Sequence, residues 1–373
     1  MKQRMRRSGL TVGVGSLLML AALTWGVARV TDKELREGKL LYTEACASCH
    51  GDDGRGQVTG LGFQVPLPDF TWCAFNSEET DRDWHSIVTE GGAAAGRSEV
   101  MPSFREALTD EQIRQVVAFL RTFCREDWPR GELNFPRLLV TEKAWPENEV
   151  LITGQTSRTP TKEQKTAFAW IGEQRVGPRG QFELSVPLQI NDPKGGGPLA
   201  GMGDLEVGGK YVLYNSLDRL TIASGGLNVT LPTGSMRRGL GSGTTILAPF
   251  LAAGKAWEEL IGQASLAFEY PTVERRAPKS LLYNLGVSYP VLDVGRLTEG
   301  QAFLELNGTS EWGTRTPKHF QLFVTPGFRK GLNRSGTWAA AVGVQVPVTG
   351  PRDADYQILG YLLYELPPLR FGR

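Results

Sequence analysis

Cysteine, histidine and net charge are all scarce in this chain. Its 373 residues include four cysteines and three histidines, and 41 basic residues nearly balance 40 acidic ones, for a formal net charge of +1. This balance does not indicate a nucleic-acid partner or a strongly acidic one, so we expect no nucleic-acid binding. Because cysteines and histidines are so few, the spacing between them is informative.

Three of these seven residues stand together, in the run Cys46-Ala47-Ser48-Cys49-His50. The C-x-x-C-H spacing lets each thiol form a thioether to a haem vinyl group and lets the adjacent histidine bind the iron. A structural zinc site would need a second pair of ligands, and a thioredoxin-like dithiol would need a βαβ setting. The motif therefore predicts one covalently bound haem c, held by Cys46, Cys49 and His50.

The first residues are typical of an export signal. Basic residues at positions 2, 4, 6 and 7 precede an uncharged run over residues 8–28, and Gly26-Val27-Ala28 offers the small residues that signal peptidase reads. We expect residues 1–28 to be a signal peptide cleaved after Ala28. The alternative is retention as an inner-membrane anchor, since a run of ~20 residues can span a bilayer. Export is consistent with the haem motif, because c-type haem is attached in the bacterial periplasm.

Residues 29–128 surround the motif. Residues 32–42 are predicted as a helix that carries Gly38 and Tyr42, the C-x-x-C-H-G turn follows, and a Met-Pro pair comes late, at Met101. This arrangement resembles class I cytochromes c, and the resemblance implies a small all-α domain around one haem with Met101 as the second axial ligand. A thioether ligand raises the reduction potential relative to two imidazoles and closes the iron to small ligands, which suits electron transfer. His85 and an open site are the alternatives.

Two prolines and two cysteines have expected roles in the same domain. Pro66 and Pro68 follow the haem motif where class I cytochromes place a proline whose carbonyl accepts the Nδ1 proton of the proximal histidine, and the choice between them stays open. Neither Cys73 nor Cys124 has a second cysteine or a histidine at metal-ligand spacing. In an oxidising compartment a disulfide between them is favoured over free buried thiols.

A second helix is predicted at the end of this domain. Thr109 and Gln112 form a capping-box pattern, and apolar residues then recur at helical spacing as far as Cys124. In the family that the domain resembles, this helix crosses the N-terminal one. Phe119 or Phe123 is therefore expected near Gly38 and Tyr42.

Residues 129–149 read as a proline-containing linker. Pro129, Pro136 and Pro146 divide the segment, and the helical pattern stops. Apolar residues such as Leu133 and Phe135 are more frequent than a freely disordered linker would carry. We therefore expect the segment to be extended and to pack on a neighbour.

Beyond residue 150 apolar and polar residues alternate in short segments bounded by Gly, Pro, Asn and Asp. The alternation is clearest over residues 203–214. The twelve predicted strands are residues 150–157, 165–176, 180–191, 202–215, 219–231, 244–255, 258–270, 280–290, 299–312, 317–329, 334–347 and 353–365. An even number of strands joined by tight turns predicts an all-β antiparallel up-and-down barrel over residues 150–366, followed by a tail over 367–373.

The barrel pattern also predicts which side chains face lipid and which face the lumen. Residues 201–211 resemble a hairpin of outer-membrane proteins of the phenol-degradation and transport type, so we expect an outer-membrane barrel. A soluble β-domain is the alternative, because residues 366–373 follow the last strand where such barrels end on an aromatic residue. Predicted lumen residues are Asp204, Glu206, Lys210 and Glu269. Predicted girdle aromatics are Tyr211, Tyr214, Phe268, Tyr270, Tyr283, Tyr289, Phe320, Phe328, Tyr361 and Tyr364.

As a whole the multidomain chain resembles in outline the fused cytochrome-porins of iron-oxidising bacteria. The resemblance implies a monohaem electron carrier, tethered beneath the mouth of an outer-membrane barrel, that passes electrons between periplasmic redox carriers and a partner at or across the outer membrane. We expect a carrier rather than an enzyme, with a role as an iron oxidoreductase left open. The alternatives are a redox-gated or redox-sensing transport channel and a soluble periplasmic cytochrome with a β-rich docking domain. Outer-membrane lipid is the other expected partner.

Overall fold

The computed structural model describes residues 30–60, 66–159, 163–192, 197, 199–292, 299–313, 319–350 and 354–369. The predicted signal peptide and the last residues of the predicted tail lie outside these ranges. Among the described residues, no helix has the length and apolar character needed to cross a membrane.

Five helices form an N-terminal unit: α1 (Asp32–Ala45), α2 (Ala47–His50), α3 (Cys73–Asn76), α4 (Asp81–Glu90) and α5 (Asp110–Arg121). A threonine precedes each of the three long helices, and its hydroxyl accepts a hydrogen bond from the backbone N–H three residues later. Such N-caps satisfy donors that a helix start leaves without partners. At α5 the pair is the full capping box that the sequence predicts, between Thr109 and Gln112.

Helices α1 and α5 cross at Gly38. A Cβ at this position would collide with the backbone carbonyl of Gln115, so the two helices approach each other this closely only because residue 38 is glycine. Next to the crossing, the Tyr42 ring lies 5.4 Å from that of Phe119 and 5.5 Å from that of Phe123. The predicted helix crossing is therefore confirmed.

Residues 149–365 form a closed antiparallel barrel. Twelve strands pair in sequence around the ring and the first pairs with the last, while a short extra strand, Leu199–Met202, pairs only with the strand Gly180–Asp192. The predicted strand at 202–215 begins three residues later, at Leu205, and the short strand Leu199–Met202 is an additional element. The strands are β1 (Glu149–Arg158), β2 (Gln164–Val176), β3 (Gly180–Asp192), β4 (Leu199–Met202), β5 (Leu205–Ser216), β6 (Thr221–Leu231), β7 (Ile246–Trp257), β8 (Leu260–Pro271), β9 (Lys279–Leu292), β10 (Gly300–Trp312), β11 (His319–Gly331), β12 (Trp338–Pro347) and β13 (Tyr356–Glu365).

The outer surface of the barrel is apolar and its inner surface is polar. Leu213 and Leu285 expose 60% and 58% of their surface on the outside, whereas Ser224, Glu305 and Thr325 on the inside are fully buried. A closed barrel with an apolar exterior is the solution that a lipid bilayer requires. The exposure of Leu213 agrees with the predicted alternation over residues 203–214.

Aromatic residues lie near both ends of the barrel, as membrane interfaces favour. The Trp338 and Tyr364 rings pack at 4.7 Å at the end nearer the helical unit, and those of Phe268 and Trp312 pack at 5.8 Å at the other end. One girdle prediction is wrong. Tyr361 faces inward with only 7% of its surface exposed, because its hydroxyl donates to the carbonyl oxygen of Arg137 inside the barrel.

The two ends of the barrel differ in their connections. Glu149 pairs with Glu365, so both ends of the barrel sequence lie at the end nearer the helical unit, together with the tight turns at 177–179 and 258–259. Longer connections, such as residues 232–245, lie at the opposite end. In outer-membrane barrels the short turns face the periplasm. The helical unit therefore lies at the periplasmic end.

The segment before the barrel runs inside it. Residues 131–148, here called the plug, contact strands on several sides of the ring: Lys210 of β5 donates to Glu142, and Tyr361 of β13 donates to Arg137. Further contacts come from β7, where Phe135 of the plug fills the space beside Gly254. A single segment that contacts the wall of a closed barrel on several sides lies in its lumen. The sequence predicts that this segment packs on a neighbouring part of the chain. It does not predict that the segment lies inside the barrel.

Candidate haem site and the plugged barrel

The two thiols of the haem motif lie on one helical turn. Cys46 precedes α2 and Cys49 lies within it, and the backbone N–H groups of Cys49 and His50 both donate to the Cys46 carbonyl, at 3.1 and 2.9 Å. Residues three apart on a helix share a face, so both thiols point to the same side. Both are free and half-buried, and burial raises the pKa of Cys46 to about 11. The turn thus presents two free thiols side by side.

His50 follows on the same turn. Its ring lies 5.0 Å from that of Phe70, and burial lowers its pKa, which favours the neutral imidazole that binds metals. Its buried Nδ1 has no hydrogen-bond partner among the described residues. The carbonyl oxygens of Pro66 and Pro68 therefore accept no hydrogen bond from this nitrogen in the structure, and the role of these prolines as its acceptor stays a prediction.

Met101 lies half-buried against a core that contains the aromatic residues Phe70 and Trp84, and Cys46 packs against the same core. The Met101 carbonyl accepts a hydrogen bond from the Gly92 N–H at 3.1 Å, which closes the loop between α4 and α5. His85 has different neighbours: its Nδ1 is 3.4 Å from the Thr89 hydroxyl and its Nε2 is 3.6 Å from Asp110. The role of Met101 as iron ligand stays a prediction.

Cys73 and Cys124 form a disulfide with a Cα–Cα distance of 4.9 Å, the pairing that the sequence predicts. The bond joins α3 to the residues just after α5 and closes a loop with a sequence separation of 51. This loop includes α4, Met101 and α5. The disulfide therefore constrains the part of the domain that has to fold around a haem.

The residues present fit a haem c. Two free thiols share one face of a turn, a half-buried neutral imidazole follows them, and a thioether packs on the same aromatic core. Cys46 and Cys49 would hold the group through thioether bonds, and His50 and Met101 would bind its iron. When bound, a haem with these ligands supplies one-electron redox chemistry.

The helical unit is fixed to the periplasmic end of the barrel. Arg179, in the turn after β2, pairs with Asp127 at 2.8 Å, and the Arg175 guanidinium lies between Trp128 and Trp145, at 4.7 and 4.8 Å from the two rings. Trp128 follows the cytochrome-like helices, and Trp145 belongs to the plug. These contacts connect the helical unit, the barrel wall and the plug.

One carboxylate at this junction is strongly perturbed. The Asn148 side chain donates to Glu78 at 3.4 Å, where the plug meets the residues after α3. Burial, with a smaller contribution from neighbouring Glu79, raises the pKa of Glu78 to about 8. Near neutral pH this carboxyl is therefore largely protonated, which avoids leaving a charge in the junction.

Glu305 of β10 holds the plug at its centre. This fully buried carboxylate accepts hydrogen bonds from the backbone N–H groups of Leu139 at 3.0 Å, Val140 at 3.1 Å and Thr141 at 2.7 Å, and from the Thr141 hydroxyl at 2.7 Å. Hydrogen bonds to an ionised acceptor are roughly twice as strong as neutral ones. Glu305 thus satisfies a run of plug donors that have no strand partner.

Ion pairs attach the plug on either side of Glu305. Arg137 donates to Glu149 of β1 at 2.6 Å and to Glu173 of β2 at 2.5 and 2.6 Å. On the β5 wall, the Lys210 ammonium lies 3.0 Å from Glu142 and 2.7 Å from the Lys143 carbonyl. The predicted lumen position of Lys210 is confirmed, but its contacts are plug atoms, and the sequence does not reveal this pairing.

The other predicted lumen carboxylates have wall or loop partners. Glu206 accepts from Asn228 and Thr230 of β6, and Glu269 bonds to Ser280 of β9. Asp204 lies before β5 and accepts from the backbone of Gly234 and Ser242. These three carboxylates contribute to the walls and loops of the barrel.

Comparisons with known proteins cover the helical unit. Residues 33–120 match the family model described as cytochrome c oxidase, cbb3-type, subunit III. A thiosulfate dehydrogenase of Stutzerimonas stutzeri (strain A1501) is 35% identical over 102 residues, which are 26% of this chain and 30% of that protein. A cbb3-type cytochrome c oxidase subunit, FixPc, of Rhizobium leguminosarum bv. viciae is 30% identical over 105 residues, 28% of this chain and 33% of that protein. The chain thus spans about a third of these relatives.

Solved porin structures share the barrel outline. The KdgM porin is 10% identical with a TM-score of 0.40, and the NanC porin is 8% identical with a TM-score of 0.42; each comparison covers 59% of this chain and 99% of the porin. The architecture of the barrel follows here from its own strand pairing and apolar exterior. The N-terminal part of the chain is a cytochrome c domain, a family that carries covalently bound haem c, and it is joined to a twelve-strand barrel of the outer-membrane type.

Proposed function

We propose that this protein is a monohaem electron carrier anchored in the outer membrane, and that both its electron donor and its electron acceptor reach the haem from the periplasmic side. The observation that carries this proposal is the plug. A plug over residues 131–148 that Glu305 and Lys210 hold inside the barrel favours an anchor over a transport channel, because it occupies space in the lumen that a solute would need.

A single haem supports electron exchange on the periplasmic side of the membrane. The chain contains one C-x-x-C-H motif, and its two other cysteines are joined in a disulfide, so one haem c is the number that the cysteines allow. Electron tunnelling falls off exponentially with distance, and the apolar band of an outer-membrane barrel is ~25 Å tall. A single haem at the periplasmic end therefore favours exchange with periplasmic carriers over transfer across the membrane.

The ligand set supports a carrier over an enzyme. With His50 and Met101 both on the iron, no position would be open for a substrate. Thiosulfate oxidation is the activity named for one relative, and the match to that protein spans 30% of its length. We therefore propose electron transfer as the activity of this chain and assign it no oxidation substrate of its own.

Liposomes that contain the full-length haem protein test the sidedness. Vesicles are captured through a tag on the cytochrome domain, so that this domain faces outward, and a membrane-impermeant ferric complex is placed either outside or inside. We expect immediate oxidation of the reduced haem by the external complex and none by the enclosed complex. Oxidation by the enclosed complex would overturn the proposal. The Cys46→Ser/Cys49→Ser protein, which lacks the thioether sites, provides the baseline.

A further inference from the structure

The barrel contacts the loop that carries Met101. Gly96, in the loop between α4 and α5, lies against the tip of the β11–β12 turn at Arg334 and Ser335. A Cβ on Gly96 would lie 3.0 Å from the Ser335 backbone nitrogen and 3.3 Å from the Arg334 Cβ. Gly96 also has a φ of +66°, a conformation that side chains disfavour. Two features therefore favour glycine at position 96: its positive φ and the close approach of the barrel turn.

Backbone hydrogen bonds within the loop connect this contact to Met101. The Gly96 N–H donates to the Ala93 carbonyl at 3.1 Å, and the Arg97 N–H donates to the Gly92 carbonyl at 2.8 Å. The Gly92 N–H in turn donates to the Met101 carbonyl at 3.1 Å. Gly92 therefore bonds both to the residue after the barrel contact and to Met101 itself. A displacement of residue 96 would be transmitted to Met101 through these bonds.

The barrel turn is rigid enough to act as a support. The Asn333 side chain donates to the Ser335 and Thr337 hydroxyls, both at 2.8 Å, and accepts from the Trp338 N–H at 3.0 Å. Gly336 has a φ of +74° within the same turn. On the other side of the loop, the Arg97 guanidinium pairs with Glu79 at 2.9 Å. The loop is thus held between the barrel turn and the core of the cytochrome domain.

We infer that the β11–β12 turn is a positioning element for the axial ligand: it holds the Gly96 loop so that Met101 stays on the haem iron. The inference rests on the proposed haem function. If so, the barrel both places the cytochrome domain and controls whether Met101 stays bound to the haem iron. Loosening the turn should shift the balance between ligand-on and ligand-off forms and lower the reduction potential, because thioether ligation raises it.

Two substitutions on opposite sides of the contact test the inference in the full-length haem protein. Gly96→Val places a side chain against the turn, and Gly336→Val distorts the turn from within the barrel. In both we expect weakening of the charge-transfer band of thioether-ligated ferric haem, with the ligand-off fraction raised about tenfold, a lower potential, and unchanged covalent haem content. Asn333→Ala, which removes the side-chain bonds of the turn without backbone strain, should act in the same direction if Gly336→Val does not assemble.

Gly239→Val is the matched control. Gly239 has a φ of +67° and open space around it, at the opposite end of the barrel, so the same backbone strain should leave the haem spectrum unchanged. Unchanged bands and potentials in Gly96→Val and in the turn variants would overturn the inference. Met101→Ala separates this failure from that of the proposed function. If Met101→Ala retains the band, Met101 is not the ligand; if it loses the band while the turn variants keep theirs, only the support by the barrel is refuted.

Discussion

The plug should open when its central acceptor is weakened. Glu305 accepts hydrogen bonds from three consecutive backbone N–H groups and one hydroxyl of the plug. Glu305→Gln keeps the shape of the side chain but replaces one oxygen with an amide that donates. The Leu139 N–H, which bonds to one carboxylate oxygen, and the Thr141 N–H, which bonds to the other, then cannot both keep an acceptor.

The size of the effect follows from these contacts. A buried donor without a partner costs about 1–3 kcal/mol, and each hydrogen bond that changes from a charged to a neutral acceptor loses about 1 kcal/mol. With one donor orphaned and the remaining bonds weakened, holding the plug becomes less favourable by about 2–5 kcal/mol. Since 1.4 kcal/mol is a factor of ten, the displaced form of the plug should become at least about tenfold more populated.

Single-channel recording in planar bilayers measures this population. The wild-type protein should be silent, and Glu305→Gln should show brief openings. Glu269→Gln is the control, because this lumen carboxylate bonds to Ser280 of the neighbouring strand. Our reasoning would be refuted by Glu305→Gln traces as silent as those of Glu269→Gln, together with unchanged hydrogen exchange of the amides at 139–141.

Three further predictions concern the cytochrome domain and the outer wall. Cys73→Ser should lower the free energy of unfolding of the haem domain by about 3–4 kcal/mol in denaturant titrations, because the disulfide with Cys124 closes a long loop, and reduction of the wild type should have the same effect. Because the pKa of Glu78 rises from 4.5 to about 8, its stabilising contribution is complete below pH 4.5 and is lost as pH rises through 8; Glu78→Gln should remove this fall from the pH profile of the unfolding midpoint. Leu285→Arg places a charge on the lipid face at the middle of β9 and should destabilise the barrel by about 2–4 kcal/mol, seen as a smaller heat-modifiable fraction on gels, whereas an equal fraction would argue against a lipid-facing wall.

The local elements follow from the sequence because their signals are local. The capping box at Thr109 and Gln112 marks the start of α5, and the alternation of apolar and polar residues from Leu205 to Tyr211 indicates which side of β5 meets lipid. The disulfide follows from elimination, because four cysteines include two in the haem motif. These features can be predicted because they depend only on residues close in sequence or, for the disulfide, on the number of cysteines.

The plug does not follow from the sequence, because its partners are distant in sequence. Thr141 bonds to Glu305 over a separation of 164 residues, and Arg137 bonds to Tyr361 over 224. Tyr361 and Tyr364 are three residues apart on β13, so strand alternation places them on opposite faces and only one of them can belong to an outer girdle. Alternation alone does not show that the Tyr361 hydroxyl donates to a plug carbonyl inside the barrel. Lys210 can be placed in the lumen from its strand position, but its ion pair with Glu142 requires the three-dimensional path of the linker.

The central claim is that one chain is both a c-type cytochrome and an outer-membrane barrel. A haem-stained gel of separated cell fractions, run with and without heating, tests it most directly. We predict a haem-staining band in the outer-membrane fraction whose mobility changes on heating, as folded barrels do. A haem-staining band in the soluble periplasmic fraction with the same mobility under both conditions would contradict the account.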